Sequence, residues 1–234
     1  MAQDSTIINL GKSSIQLIGY KGEILSDVLF LNVHEDEQTS ILAINKVRQE
    51  FPIEFYYLHH EQTRNINFRT RRNIYEFDPN RIYTFKGRKN SLKKFGKFSF
   101  KANKEVKKLD LAIKELIANY KVVVTLHNNT DVNYTINSYA AGGDESENTK
   151  ELYISQNWDS DDFIYTTEKK YFEFFKSNDI NVILQDNEGC VNDGSLSVFC
   201  GKNNIPYINI EAEINHFNEN IALIEKTLTL LKTF

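Results

Sequence analysis

The chain has 234 residues, 41% hydrophobic and 12% aromatic with only 3 prolines, a globular composition able to bury a sizeable core and unlike that of a disordered or fibrous chain. Its 28 basic and 32 acidic residues leave a formal net charge of −4, so there is no large field of one sign to attract nucleic acid or an anionic lipid surface. No stretch approaches the ~20 apolar residues of a membrane span, and Cys190 and Cys200 alone suggest neither a disulfide scaffold nor a metal site.

Taken in order, β-branched and aromatic runs at residues 15–18 and 28–33 read as strands, and apolar spacing over 40–51 reads as a helix. A strand at 55–58 follows, then a short antiparallel pair, 65–69 and 73–77, around Thr70-Arg71. The lysine-rich segment 86–108 reads as a solvated loop and helix face. A helix over 106–120, strands at 122–126, 180–184 and 207–210, and a closing amphipathic helix over 217–231 complete the pattern, with loops at 128–149 and 186–194. Strands alternating with helices predict one α/β domain over residues 1–234, with a mixed, mostly parallel sheet and helices on both faces. The hairpin at 65–77 is expected to make that sheet mixed. The start, Met1-Ala2-Gln3-Asp4-Ser5, has neither a basic nor an apolar signal region. A soluble cytoplasmic protein is expected as written, or a periplasmic or secreted one if a signal was trimmed before Ala2-Gln3.

The run at 28–33 ends on His34, Glu35, Asp36 and Glu37. An HxxE pair after a strand places an imidazole and a carboxylate on one side of a turn, where both can meet a cation at about 2.0 to 2.2 Å. Only 5 histidines exist. His127 also ends a buried strand, so two neighbouring parallel strands would bring His34, Glu37 and His127 to one crevice beyond their carboxyl ends. That is a His₂Glu set suited to a zinc ion with an open position. The adjacent His59 and His60 point to opposite sides of a strand and cannot readily share one metal, while His216 is placed to cap the last helix.

In Phe77-Asp78-Pro79-Asn80-Arg81, Asp-Pro-Asn is turn chemistry, with Asp78 placed to orient the turn or Arg81 itself. Beside a metal, Asn80 and Arg81 offer an amide and a planar fork that suit a substrate carboxylate. Near the C-terminus, Tyr207, Asn209, Glu211 and Glu213 share one strand face by alternation. An acid on a core strand is costly unless used or exposed, and a general base is the functional reading.

These motifs, His34-x-x-Glu37, Asp78-x-Asn80-Arg81, the strand-end His127 and Tyr207-x-x-x-Glu211, resemble in order and register the zinc carboxypeptidase superfamily, including its succinylglutamate desuccinylase and aspartoacylase branch. The resemblance runs from about residue 28 to 217. It implies a zinc-carboxypeptidase-like fold, Zn²⁺ held by His34, Glu37 and His127, a carboxylate clamp of Asn80 and Arg81, and Glu211 as acid/base. Arg64 matches the carbonyl-polarising arginine, with Arg71 the alternative, and Ser195 and Ser197 would contact the side chain beside the scissile bond. The expected activity is hydrolysis of an amide next to a free carboxylate, as by a carboxypeptidase acting on peptides, cell-wall peptides included. An N-acyl amino acid deacylase and a catalytically silent carboxylate-binding module are the alternatives. The Glu37 to His127 interval is nearer the aspartoacylase branch, although the chain ends too soon for that branch's extra C-terminal domain. The tyrosine that closes over substrate in the digestive enzymes is left open among Tyr139, Tyr153 and Tyr165.

Overall fold

A computed structural model describes residues 3–130 and 134–233; Met1-Ala2, where a trimmed signal would have joined, lie outside the described residues. Five strands and a helix open the chain: β1 (Gln3–Leu10), β2 (Ser13–Tyr20), β3 (Val28–Asn32), α1 (Gln38–Glu50), β4 (Phe55–His59) and β5 (Ile66–Arg69). Then come β6 (Ile74–Phe77), α2 (Phe85–Lys94), α3 (Phe100–Ile117), β7 (Val122–Asn129), β8 (Thr149–Tyr153) and β9 (Phe163–Thr166). The chain closes with α4 (Lys169–Ser177), β10 (Val182–Gln185), α5 (Leu196–Lys202), β11 (Tyr207–Glu213) and α6 (Phe217–Leu231).

Nine strands form one sheet in the order β1-β2-β4-β3-β7-β11-β9-β10-β8. Its centre, β4-β3-β7-β11, is parallel. Antiparallel pairings of β1 with β2, β2 with β4, β11 with β9 and β10 with β8 make it mixed. The expected hairpin at 65–77 forms, but as a separate two-stranded sheet, β5-β6. The mixed character therefore comes from the flanks of the main sheet and not from that hairpin.

Alternation along the central strands builds a core on each face. Leu29, Leu31 and Val123 pack with Val106, Leu109 and Ile113 of α3 and Leu92 of α2. Val28, Phe30, Val124 and Leu126 pack with Ala43, Ile44 and Val47 of α1, Phe172 and Phe175 of α4, and Leu223 and Ile224 of α6. The same period of two puts Thr125 and His127 on the face of Val123, and Asn209 and Glu211 on the face of Tyr207. At the carboxyl ends of β7 and β11, that face changes from apolar to polar.

The lysine-rich segment forms α2, a short connection and the start of α3. Lys86, Lys93, Lys94, Lys101, Lys104 and Lys107 face solvent, as a solvated helix face should. The inner side of α2 is close-packed: a Cβ on Gly87 would lie 2.6 Å from both the Arg81 carbonyl oxygen and the Gly194 Cα. Overpacked backbone contacts of this kind cost about 1 to 3 kcal/mol. Gly87→Ala is therefore expected to lower the unfolding free energy by about that amount, read as a fall in urea midpoint at unchanged slope. An unaltered midpoint would show that α2 can shift freely against the Arg81 turn.

Candidate active site

His34 lies in the connection from β3 to α1, and Glu37 occupies the N-cap position of α1. His127 is in β7, hydrogen-bonded to its parallel neighbours so that Glu211 of β11 is its register partner. All four are buried. His34 Nδ1 is 2.9 Å from Glu37 Oε1 and 3.2 Å from His127 Nδ1, while His127 Nδ1 is 3.0 Å from Glu37 Oε2. The three residues form a group able to hold a metal ion, their ligand atoms all within 4.8 Å of one another.

The donor set fits a divalent cation. Contacts of 2.9 to 3.2 Å between these atoms are only a little shorter than the roughly 3.3 to 3.6 Å edges of a tetrahedron around an ion at about 2.0 to 2.2 Å, so a small outward shift would admit one. Two imidazole nitrogens facing each other beside a carboxylate also call for a positive charge between them. Burial opposes a charged His34, but Glu37 and Asp78 outweigh it and raise the imidazole pKa to about 9. Burial likewise opposes ionisation of Glu37, yet His127 and His34 hold its carboxyl well below the usual range.

Asp78 completes the arrangement from outside. Its Oδ1 lies 2.9 Å from His34 Nε2 and accepts from the Asn80 N–H at 2.7 Å. Thus Asp78 orients the turn, as expected, and orients His34, which the sequence reading missed. Burial works against its charge, but the His34 hydrogen bond keeps its pKa below normal.

Arg64, between β4 and β5, donates to Glu37 Oε1 at 2.5 Å. Burial disfavours its charge, while Glu37 and Asp78 raise its pKa. Asn80 and Arg81 form a 3₁₀ turn, Pro79–Arg81, after β6. The Asn80 Oδ1 accepts from the Leu196 N–H at 3.3 Å, which leaves its Nδ2 donor for a ligand. Arg81 Nε lies 3.4 Å from Asp193 Oδ2. Ser195 caps α5 and its Oγ is 3.2 Å from that of Ser197.

Arg64, Asn80, Arg81, His127, Ser195, Ser197 and Glu211 all line one cleft of about 230 Å³. Glu211 Oε1 accepts from Asn209 Nδ2 at 2.9 Å, Asn209 Oδ1 accepts from the Thr125 hydroxyl at 2.8 Å, and Thr125 meets the Tyr207 hydroxyl at 2.5 Å. Burial raises the Glu211 pKa and the nearby Glu37 charge adds to it, against relief from His127, Asn209 and Arg64. Glu213 stands apart, its N–H bound to Asp162 at 3.0 Å and its carboxylate 3.3 Å from His216 Nε2.

Other residues fall elsewhere. Glu35 is buried, accepting from the His60 and Gln62 N–H groups and paired with His59, and Asp36 is exposed. His216 occupies the N-cap of α6 without a side-chain cap, bonding Asp162 instead. Tyr139 and Tyr165 line the cleft, joined by Tyr134, whereas Tyr153 donates to Asp179 at 2.7 Å on β8, away from it. Cys190 and Cys200 are free thiols. Among the described residues, no helix is long and apolar enough to cross a membrane.

The orienting role of Asp78 is testable directly. Carboxylates that position a ligating histidine are worth 10- to 100-fold in metal affinity. Asp78→Asn retains an acceptor for the Asn80 N–H, yet should weaken divalent-metal binding by that factor in a calorimetric titration. Unchanged affinity would remove Asp78 from the metal group.

No protein-family model and no curated protein sequence matches the chain. Among solved structures, an aspartoacylase family protein from Mesorhizobium loti aligns with TM-score 0.52 and 13% identity over 99% of this chain and 67% of that one. A provisionally named metallopeptidase from Shewanella baltica aligns with TM-score 0.44 and 12% identity over 97% and 85%. Another from Shewanella amazonensis gives TM-score 0.45 and 12% identity over 98% and 87%. At such identities the likeness concerns the fold, and it rests on the Mesorhizobium structure. Sheet order, helices on both faces and this likeness together give the chain a zinc-carboxypeptidase-like fold.

Proposed function

We propose that residues 1–234 form one catalytic domain, a zinc-dependent hydrolase that cleaves an amide bond next to a free carboxylate. A carboxypeptidase acting on peptides is the first reading. What carries it is the convergence of His34, Glu37 and His127 with Glu211, Arg64 and the Asn80-Arg81 turn on a single cleft. The Mesorhizobium protein's family name brings in deacylation of an N-acyl amino acid as the second reading. A silent binding module is disfavoured because the buried acid Glu211 is retained beside the ligand group.

An ion held by His34, Glu37 and His127 would supply Lewis acidity and lower the pKa of a water to about 7. The chain's own groups do the rest. Arg81 and Asn80 bind the substrate carboxylate through the guanidinium fork and the Nδ2 donor. Arg64 offers N–H donors to the charge developing on the carbonyl oxygen. Glu211, its pKa raised by burial, accepts a proton from the attacking water and returns it to the leaving nitrogen. Ser195 and Ser197 contact the side chain beside the scissile bond.

Metal analysis of the purified protein, followed by hydrolysis assays on short peptides, cell-wall peptides and N-acyl amino acids, tests the assignment and separates its two readings. His34→Ala or His127→Ala should abolish stoichiometric zinc. Glu211→Gln should keep the metal and lose about 10²-fold or more in kcat, because an amide of the same shape cannot accept a proton; Glu213→Gln should be mild. A fully active Glu211→Gln variant would sink the mechanism. Amidating the substrate carboxylate, or Arg81→Ala on the free acid, should each lower kcat/KM by about 10- to 100-fold, the scale of a charge-assisted hydrogen bond. Equal turnover of acid and amide forms would rule out the clamp.

A further inference from the structure

The segment between β7 and β8 supplies Tyr134, Tyr139, Glu145 and Asn148 to the cleft wall. The other charges there are accounted for. Arg64 is paired with Glu37 and Arg81 with Asp193, while Glu211 sits beside the ligand group. Glu145, also in the lining, has no cationic partner among the described residues.

Its carboxylate is nevertheless held in place. Oε2 accepts from Asn148 Nδ2 at 2.6 Å. Asn148 is itself fastened on both sides, its Oδ1 accepting from the Val191 N–H at 2.9 Å and its carbonyl from the Asp186 N–H at 2.9 Å. The Glu145 N–H donates to the Ser138 carbonyl at 2.9 Å. That fold-back needs glycine at 143, where a Cβ would lie 2.3 Å from the Ser138 oxygen. One carboxylate oxygen thus remains for a ligand, on a side of the cleft where its neighbours Tyr134, Tyr139 and Asn148 offer hydroxyls and an amide.

Such a wall discriminates by charge. An aliphatic side chain entering it would strip water from Glu145 and give nothing back, and an acidic one would be repelled. A side chain ending in an ammonium or guanidinium group would pair with the free oxygen while the tyrosine hydroxyls take its remaining donors. We propose that Glu145 is a specificity-determining residue, selecting a substrate whose leaving amino acid bears an amine or guanidine side chain, such as lysine. The assignment rests on the hydrolase reading above for its kinetic form, but not for its binding form.

The test uses zinc-loaded protein and N-acyl dipeptides ending in lysine, norleucine or glutamate. Wild type should prefer lysine over norleucine by about 10- to 100-fold in kcat/KM, the range of a charge-assisted hydrogen bond. Glu145→Gln should collapse that ratio to near unity, and Glu145→Asp should retain much of it. A preference for norleucine or glutamate, or a lysine preference that survives Glu145→Gln, overturns the proposal. If no dipeptide is hydrolysed, the carboxypeptidase reading fails while the subsite stands or falls separately, and calorimetry with free lysine, norleucine and glutamate decides the subsite alone. Lysine binding at least 10-fold tighter than the other two supports it; equal or weaker lysine binding overturns it. That measurement needs only the wild-type chain, so a misfolded variant cannot blur the outcome.

Discussion

The contact on which the site depends is the buried Glu37 carboxylate, in reach of His34, His127 and Arg64 at once. An ionised carboxylate taken out of water is stable only when it is paired and hydrogen-bonded. Each of its partners comes from a different segment: the β3–α1 connection, β7, and the stretch before β5. Removing one member of a buried charged group typically costs about 3 to 5 kcal/mol. Closure of this group therefore acts as a constraint on how those segments meet, and a bound cation would satisfy the same constraint better than a shared proton can.

The sheet makes that meeting cheap. β3, β7 and β11 are adjacent and parallel, so their carboxyl ends point the same way and need no special bend to converge. Along β7 and β11, one face carries Val123 into the core, buries Thr125 beneath the cleft, and brings Tyr207, His127, Asn209 and Glu211 to the cleft wall. Hydrogen bonds from Tyr207 through Thr125 and Asn209 to Glu211 satisfy the polar atoms where packing gives way to chemistry. Glu211 is thus a buried acid held in position by a hydrogen bond from Asn209 of its own strand.

This division explains what was legible in the sequence. The central strands announce themselves by continuous β-branched runs, and α6 by apolar spacing that matches its observed span, Phe217–Leu231. His34, Glu37, His127 and Glu211 could be read because each interrupts such a run at its carboxyl end. β1 was missed since only Ile8 and Leu10 of its eight residues are buried; its strand character comes from pairing with β2. α4 and α5 were missed because 9 and 7 residues hold too few turns for a period to stand out. The partnership of Asp78 with His34, 44 positions away, has no local signature at all. Nor has Glu145, one acid among several in a glycine-containing loop, which lines the cleft without an ion-pair partner among the described residues.

The most instructive case is α2. Its lysines describe a solvated surface correctly, since they are the outer face of the helix, but they hide the inner one. Gly87, Arg88, Ser91 and Leu92 are its buried residues. Arg88 donates to the Ile82 carbonyl at 2.8 Å and to Asp110 of α3, tying α2 to both the chain after the 3₁₀ turn and the neighbouring helix. Ser91 Oγ accepts from the Asp78 N–H at 2.8 Å, and Gly87 lets the Arg81 backbone lie directly against the helix. Asp78 in turn holds His34, and His34 meets Glu37. A segment whose composition reads as solvent-facing charge thus sets, through three small or polar inward positions, Gly87, Arg88 and Ser91, the placement of the turn that carries Asp78, Asn80 and Arg81. Composition reports the face that meets water; the site is positioned by the face that does not.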